Sequence, residues 1–170
     1  IKKRKFIKMN TGQLLLTTSA IVLLSLLILR VNNGFLSTNQ VMMENKFNVL
    51  AISLGSSLLE EATGKAFDEN TVENTVSTLS SLSAIGADAG EVYPDFDDFD
   101  DFNNLVKVDS TLPSAVFTIR CQVSYTSPSN PNSSTGTTKT WHKKLTVSVS
   151  SPSMVDTIRF STIYSYFYYR

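Results

Sequence analysis

The sequence predicts an α+β fold: a long N-terminal α-helix, with a membrane or polymerisation half followed by an amphipathic half, packed on a small antiparallel β-sheet. Three observations predict it. Residues 14–29 read LLLTTSAIVLLSLLIL, an uncharged run. Beyond it Leu36, Met43, Phe47, Leu50, Leu54, Leu58 and Ala62 recur at steps of mostly three, four and seven, one stripe of a helix. From Ala115 onward the apolar period changes to two, the spacing of half-buried strands.

The N-terminal element is set by charge and hydropathy together. The net charge of zero is unevenly spread: residues 1–30 hold Lys2, Lys3, Arg4, Lys5, Lys8 and Arg30 and no acid, leaving nine bases against fifteen acids in the rest. A basic cluster before an apolar run is retained in the cytoplasm, which places the body of the chain on the far side of a membrane. Those bases are too local to line a nucleic-acid groove, so no nucleic-acid partner is indicated. Extended by Gln13, Arg30 and Val31, the apolar run (13–31) approaches the length that crosses a hydrocarbon core of about 30 Å. Thr17, Thr18, Ser19 and Ser25 are tolerated there because a hydroxyl can bond back to the preceding turn. With the amphipathic stripe added, the long helical segment is 13–66, with nearly continuous helix over 13–63, about 75 Å at 1.5 Å per residue, and Gly64 as its stop. Asn32, Asn33 and Gly34 are weak helix formers in its middle and predict a kink or a locally unwound stretch.

Residues 67–112 form a variable region. Asn70-Thr71-Val72-Glu73 has capping-box spacing and predicts a short helix carrying Val72, Val76, Leu79 and Leu82, ending at Gly86. Residues 86–104 read as a loop. Seven acids crowd into 88–101, among them Asp97, Asp98, Asp100 and Asp101. Such a loop fits a solvated acidic turn, a contact to basic groups of a neighbour, or an oxygen-rich Ca²⁺ site on those four aspartates, although the spacing is not that of an EF-hand. Phe96, Phe99 and Phe102 at three-residue steps read as packing anchors.

The sheet is expected over 113–170. Ala115, Phe117, Ile119, Cys121, Val123 and Tyr125 face one way in a first strand, and 126–138 is a polar turn. Trp141, Lys143, Leu145, Val147 and Val149 alternate with polar partners in a second strand. Ser151-Pro152-Ser153 turns the chain into a third, Thr157 to Tyr168. A meander of three or four strands results. Cys121 is the one cysteine, so no intramolecular disulfide is possible, and its strand setting predicts a buried thiol. His142 is the one histidine and has no readable nucleophile or orienting acid beside it, so the chain is not expected to be an enzyme.

The junction Asn10-Thr11-Gly12 followed at once by Gln13 and the apolar run, with the long helix and terminal sheet, resembles the layout of type IV pilins and pseudopilins. A second resemblance lies at Asp100-Asp101-Phe102-Asn103-Asn104, which is similar to an Asp-Asp-aromatic-(Asn or His)-Gly segment of minor pilins, with Asn104 in the glycine position. Asparagine is the next-best residue for a positive φ, so the turn is expected to survive. The resemblance implies cleavage of the leader 1–12 between Gly12 and Gln13 by a prepilin peptidase, and methylation of the new N-terminus. It implies residence in the inner membrane with the head outside, then assembly by pilus machinery into an extracellular filament, with copies of the same chain as partners. The polymerising helix would be Leu14, Leu15, Leu16, Ile21, Val22, Leu23, Leu24, Leu26, Leu27, Ile28 and Leu29. Two departures are visible: Thr17 stands where the family has a glutamate, and the usual proline of the apolar segment is missing. The alternatives are a secretion-system pseudopilin or minor pilin, and a membrane-tethered β-domain for binding or adhesion.

Overall fold

The computed structural model describes residues 10–136 and 138–167, and its fold is α+β. One helix, α1 (Thr11–Thr63), is followed by two 3₁₀ turns (Glu69–Thr71 and Leu79–Ser81). Five strands complete the chain: β1 (Val106–Asp109), β2 (Phe117–Ser127), β3 (Asn130–Ser134), β4 (His142–Ser150) and β5 (Ile158–Ser165). The chain divides into two compact units, one ending at Met43 and the other beginning at Glu44.

In the first unit α1 is helical without interruption through Asn32, Asn33 and Gly34. The locally unwound stretch expected there does not form in the single chain. Asparagine and glycine cost helix stability but contain nothing that blocks the backbone ladder, unlike proline. The leader expected over 1–12 lies largely outside the described residues; its last members, Thr11 and Gly12, are already helical.

In the second unit the rest of α1 packs on the sheet. Phe47, Ala51, Gly55, Leu58 and Ala62 are its buried members, spaced by three and four. Leu50 and Leu54 of the expected stripe are half-buried beside them, whereas Leu36 and Met43 are exposed. Phe47, Ala51, Leu58 and Ala62 share one core with Phe117, Ile119, Cys121 and Val123 of β2 and Leu145, Val147 and Val149 of β4. Gly55 is needed at the contact. A Cβ there would lie 2.5 Å from the ring of Phe160 on β5, inside any real carbon contact.

The sheet runs β1-β2-β4-β5, all antiparallel, with β3 paired to the end of β2. The period-two reading of β2 and β4 is met over most of their length: odd-numbered residues 117–125 and 143–149 are buried and the even-numbered residues between them are not, the alternation ending at buried Thr126. Two strands lie where loops were expected. β1 falls in the variable region, and its valines face outward (Val106 50 % and Val108 61 % exposed), so no apolar inner face marked it. β3 lies in the polar turn 126–138 and is wholly exposed. β5 is shorter than the strand expected to Tyr168; Tyr166 and Phe167 lie in a turn, and Tyr168 is outside the described residues.

The short helix expected after Asn70 is also corrected. Only the two 3₁₀ turns form, and the cap is Asp68 rather than Asn70. Asp68 accepts from the Asn70 N–H, while the Thr71 hydroxyl faces the Asp68 backbone N–H. The stretch Thr71–Ser83 is crowded with β-branched and hydroxyl residues, which lose side-chain freedom in a helix or compete for its backbone bonds.

Candidate functional site

Two regions carry the functional expectations. The first is the apolar part of α1. Leu14, Leu15, Leu16, Ile21, Val22, Leu23, Leu24, Leu26, Leu27, Ile28 and Leu29 are all more than half exposed, up to 74 % at Leu16. No side of this segment is polar, so the apolar surface has no solvated back. Its hydroxyls are satisfied internally: Thr17 Oγ1 donates towards the carbonyls of Gln13 (3.0 Å) and Leu14 (2.9 Å), Ser19 Oγ to Leu15 O (2.8 Å) and Ser25 Oγ to Ile21 O (2.9 Å). The helix is long and apolar enough to cross a membrane. Gly12 and Gln13 occupy its first turn, exposed, with open space around the Gly12 Cα. Thr17 offers a hydroxyl already committed to its own helix and no charge.

The second region is the acidic segment 94–105, which is folded inward. Phe96, Phe99 and Phe102 are buried, as anchors should be, with Phe96 and Phe102 in edge contact at 5.2 Å. Asn104 takes φ 63, the left-handed conformation its side chain tolerates. Asn103 Oδ1 accepts from the Val123 N–H at 3.0 Å, and the Asn104 N–H donates to Cys121 O at 3.1 Å, which fixes the segment to β2.

The four aspartates read as a candidate calcium set do not converge on one point. Asp98, Asp100 and Asp101 are buried rather than solvated, and Asp97 is exposed. Asp98 Oδ1 accepts the N–H groups of Asp100 (2.7 Å) and Asp101 (3.1 Å), and Asp101 Oδ2 accepts those of Asp97 (3.2 Å) and Asp98 (3.1 Å). These carboxylates build the turn. Asp100 Oδ1 instead meets Lys143 Nζ at 2.5 Å. Among the described residues the carboxylates that come within ligand distance of each other are those of Glu69, Glu91 and Asp97. Burial, then the charge of Asp97, raises the Glu69 carboxyl above its ordinary range. Burial likewise raises Glu91.

Lys143 is the residue that sequence reasoning placed without seeing its consequence. Its side chain is fully buried and donates to Asp68 Oδ2 (2.8 Å), Asp100 Oδ1 (2.5 Å) and Phe67 O (2.9 Å), which uses all three ammonium protons. The rings of Phe67 and Tyr125 stand 4.6 and 5.6 Å from Nζ. Asp68 is likewise fully buried, its Oδ1 bound by the N–H groups of Ser83 (2.8 Å) and Asn70 (3.3 Å). The available signal was a lysine on the inward face of a period-two strand: such a group must find acids, and the loop was full of them. Burial raises the Asp100 carboxyl against the opposing pull of Lys143. Burial and the neighbouring Asp100 charge push Asp98 up to about 9.

Cys121 is buried, and burial pushes its thiol up to about 12, an inert structural cysteine. His142 Nδ1 lies 2.6 Å from Ser165 Oγ across β4 and β5, half-buried.

A long apolar N-terminal helix with an antiparallel sheet packed on its later turns is a pilin-like layout. Comparison with family models, with characterised proteins and with solved structures gives no match.

Proposed function

We propose that the chain is a structural subunit of an extracellular type IV pilus-like filament, polymerising through residues 13–31 of α1. The observation that carries this reading is the exposure of the apolar residues all round the helix, with the hydroxyls turned back on their own backbone. Such a surface is stable in lipid, and equally stable among other helices of its own kind. Fully burying one Leu or Ile is worth about 1.5–3 kcal/mol over exposure to water, so a run of this length supplies a large drive once entropy costs are met. A head-to-tail contact of this sort does not close on itself and grows a helical filament.

In this reading the chain waits in the inner membrane, with its basic residues in the cytoplasm and its head outside. A prepilin peptidase cuts between Gly12 and Gln13, and the assembly machinery lifts the helix into the bundle. Asn32, Asn33 and Gly34, helical in the single chain, are the place where the helix would yield in the filament. The role is structural and not catalytic.

The test is to shear filaments from producing cells and measure the intact mass and N-terminal peptide of their subunit. The expected product begins at Gln13. A chain that remains in the membrane fraction with residues 1–12 attached sinks the filament reading in favour of a tethered head.

A further inference from the structure

We propose that the buried Lys143–Asp100 pair closes spontaneously into an intramolecular amide, joining the acidic segment to β4 through a covalent bond, with Asp68 as the proton carrier. The proposal stands on the head alone and does not depend on filament formation.

The setting is unusual for an ion pair. Two fully buried carboxylates face one fully buried ammonium. The second oxygen of Asp100 is also buried and has no hydrogen-bond partner among the described residues. A buried ion pair recovers its desolvation cost only when every lone pair and proton is satisfied, and a leftover negative charge is costly. The two carboxylates are not equivalent. Asp68 is held by two backbone N–H groups besides Lys143. Asp100 accepts no backbone N–H: its Oδ1 meets Lys143, its Oδ2 is buried without a hydrogen bond, and the Asp98 carboxyl stands beside it. Converting Lys143 and Asp100 to an amide removes both charges and leaves Asp68 as the one anion.

The geometry supplies the steps. Passing the shared proton from Lys143 Nζ to Asp100 Oδ1 yields an uncharged amine and an uncharged acid. It also leaves the nitrogen lone pair pointing at the carboxyl it has just protonated, whose carbon lies one bond beyond the oxygen at 2.5 Å. Reactants held this close behave as one molecule, which is where proximity gains most. The new N–C bond forms at the carboxyl carbon as its C=O electron pair moves to oxygen. Asp68 Oδ2, 2.8 Å from Nζ, takes one of the two remaining nitrogen protons and returns it to the departing hydroxyl, which leaves as water when the carbonyl re-forms. The last N–H keeps its bond to Phe67 O. Ammonium and carboxylate become amide and water, with no oxidant, reductant or co-reactant. The rings of Phe67 and Tyr125 wall the nitrogen, keeping bulk water from the step and from reversing it. In a chain with no possible disulfide, this bond would be its one covalent tie between distant segments.

Intact-mass measurement of the full chain, purified in detergent, tests this directly. The expected mass is lower than that of the sequence by one water. Trypsin is expected to leave Lys143 uncut and to release peptide 140–144 joined to peptide 66–107, with tandem fragmentation placing the branch at Asp100. Lys143→Arg is expected to show the full sequence mass. Asp100→Asn is expected to lose ammonia and give the same branched product, because its side-chain amide offers the same carbon. Folded wild-type chain, verified by circular dichroism, whose peptides are linear and cut after Lys143 overturns the proposal. A branch at Asp68 overturns the assignment of Asp100 as the acceptor.

Discussion

Asp98 shows how a single side chain ties the acidic segment to pH. Its carboxyl is buried and accepts two backbone N–H groups, yet burial and the Asp100 charge push it from an ordinary 3.8 up to about 9. Between those values the folded state binds a proton that the unfolded chain releases. The stabilising effect is therefore complete below the unfolded value, declines as pH rises, and is gone once the folded value is passed, by up to about 1.4 kcal/mol per pH unit. Asp98→Asn keeps the accepting oxygen and removes the titration. Urea midpoints at about pH 5 and about pH 8 should differ clearly in the wild type and much less in Asp98→Asn; equal slopes in the two proteins would refute the assignment. At this scale the sequence was half legible. The phenylalanine spacing revealed packing anchors, and Asn104 revealed a left-handed turn. That the aspartates between them turn inward was not visible, because a solvated loop and a buried capping turn have the same composition. Only the tertiary position of Lys143 distinguishes them.

Among elements, α1 and its seam with the sheet were the easiest to foresee, since a 3.6-residue period and a 2-residue period cannot be mistaken over such lengths. The step the periodicity missed is at Gly55. It sits on the buried face where Phe160 of β5 approaches, so the helix accepts a glycine that costs it up to about 1 kcal/mol of propensity. Gly55→Leu regains propensity but drives a side chain into Phe160 and Val149; it is expected to cost about 1–3 kcal/mol, read as a lowered chemical-denaturation midpoint. An unchanged midpoint would show that β5 moves aside freely. β1 and β3 escaped notice for a different reason. β3 is wholly exposed and β1 exposes its valines, so backbone pairing to β2, not an apolar face, holds them in the sheet.

For the whole molecule, the division at Met43 and Glu44 separates two kinds of stability. Residues from Glu44 onward enclose their own core, from Phe47 and Leu58 on α1 to Phe117 and Val147 on the sheet. Among the described residues, 10–43 are all exposed within the chain. A fragment of residues 44–170 should therefore fold in water without detergent, with coincident loss of near- and far-ultraviolet circular dichroism on heating. A fragment that shows sheet content but no fixed aromatic signal would mean that the apolar helix is needed to complete the core.

The sequence by itself determined the α+β class, the apolar helix and the inward faces of β2 and β4. Each of these follows from local periodicity. Tertiary structure alone decided that α1 passes unbroken through Asn32–Gly34 and that Asp68 rather than Asn70 is the cap. It alone brought residues 68, 100 and 143 to one buried point. The reason is physical: a buried charge is defined by its distant partners, and their approach depends on how the sheet and the acidic segment close over one another, which no spacing along the chain records.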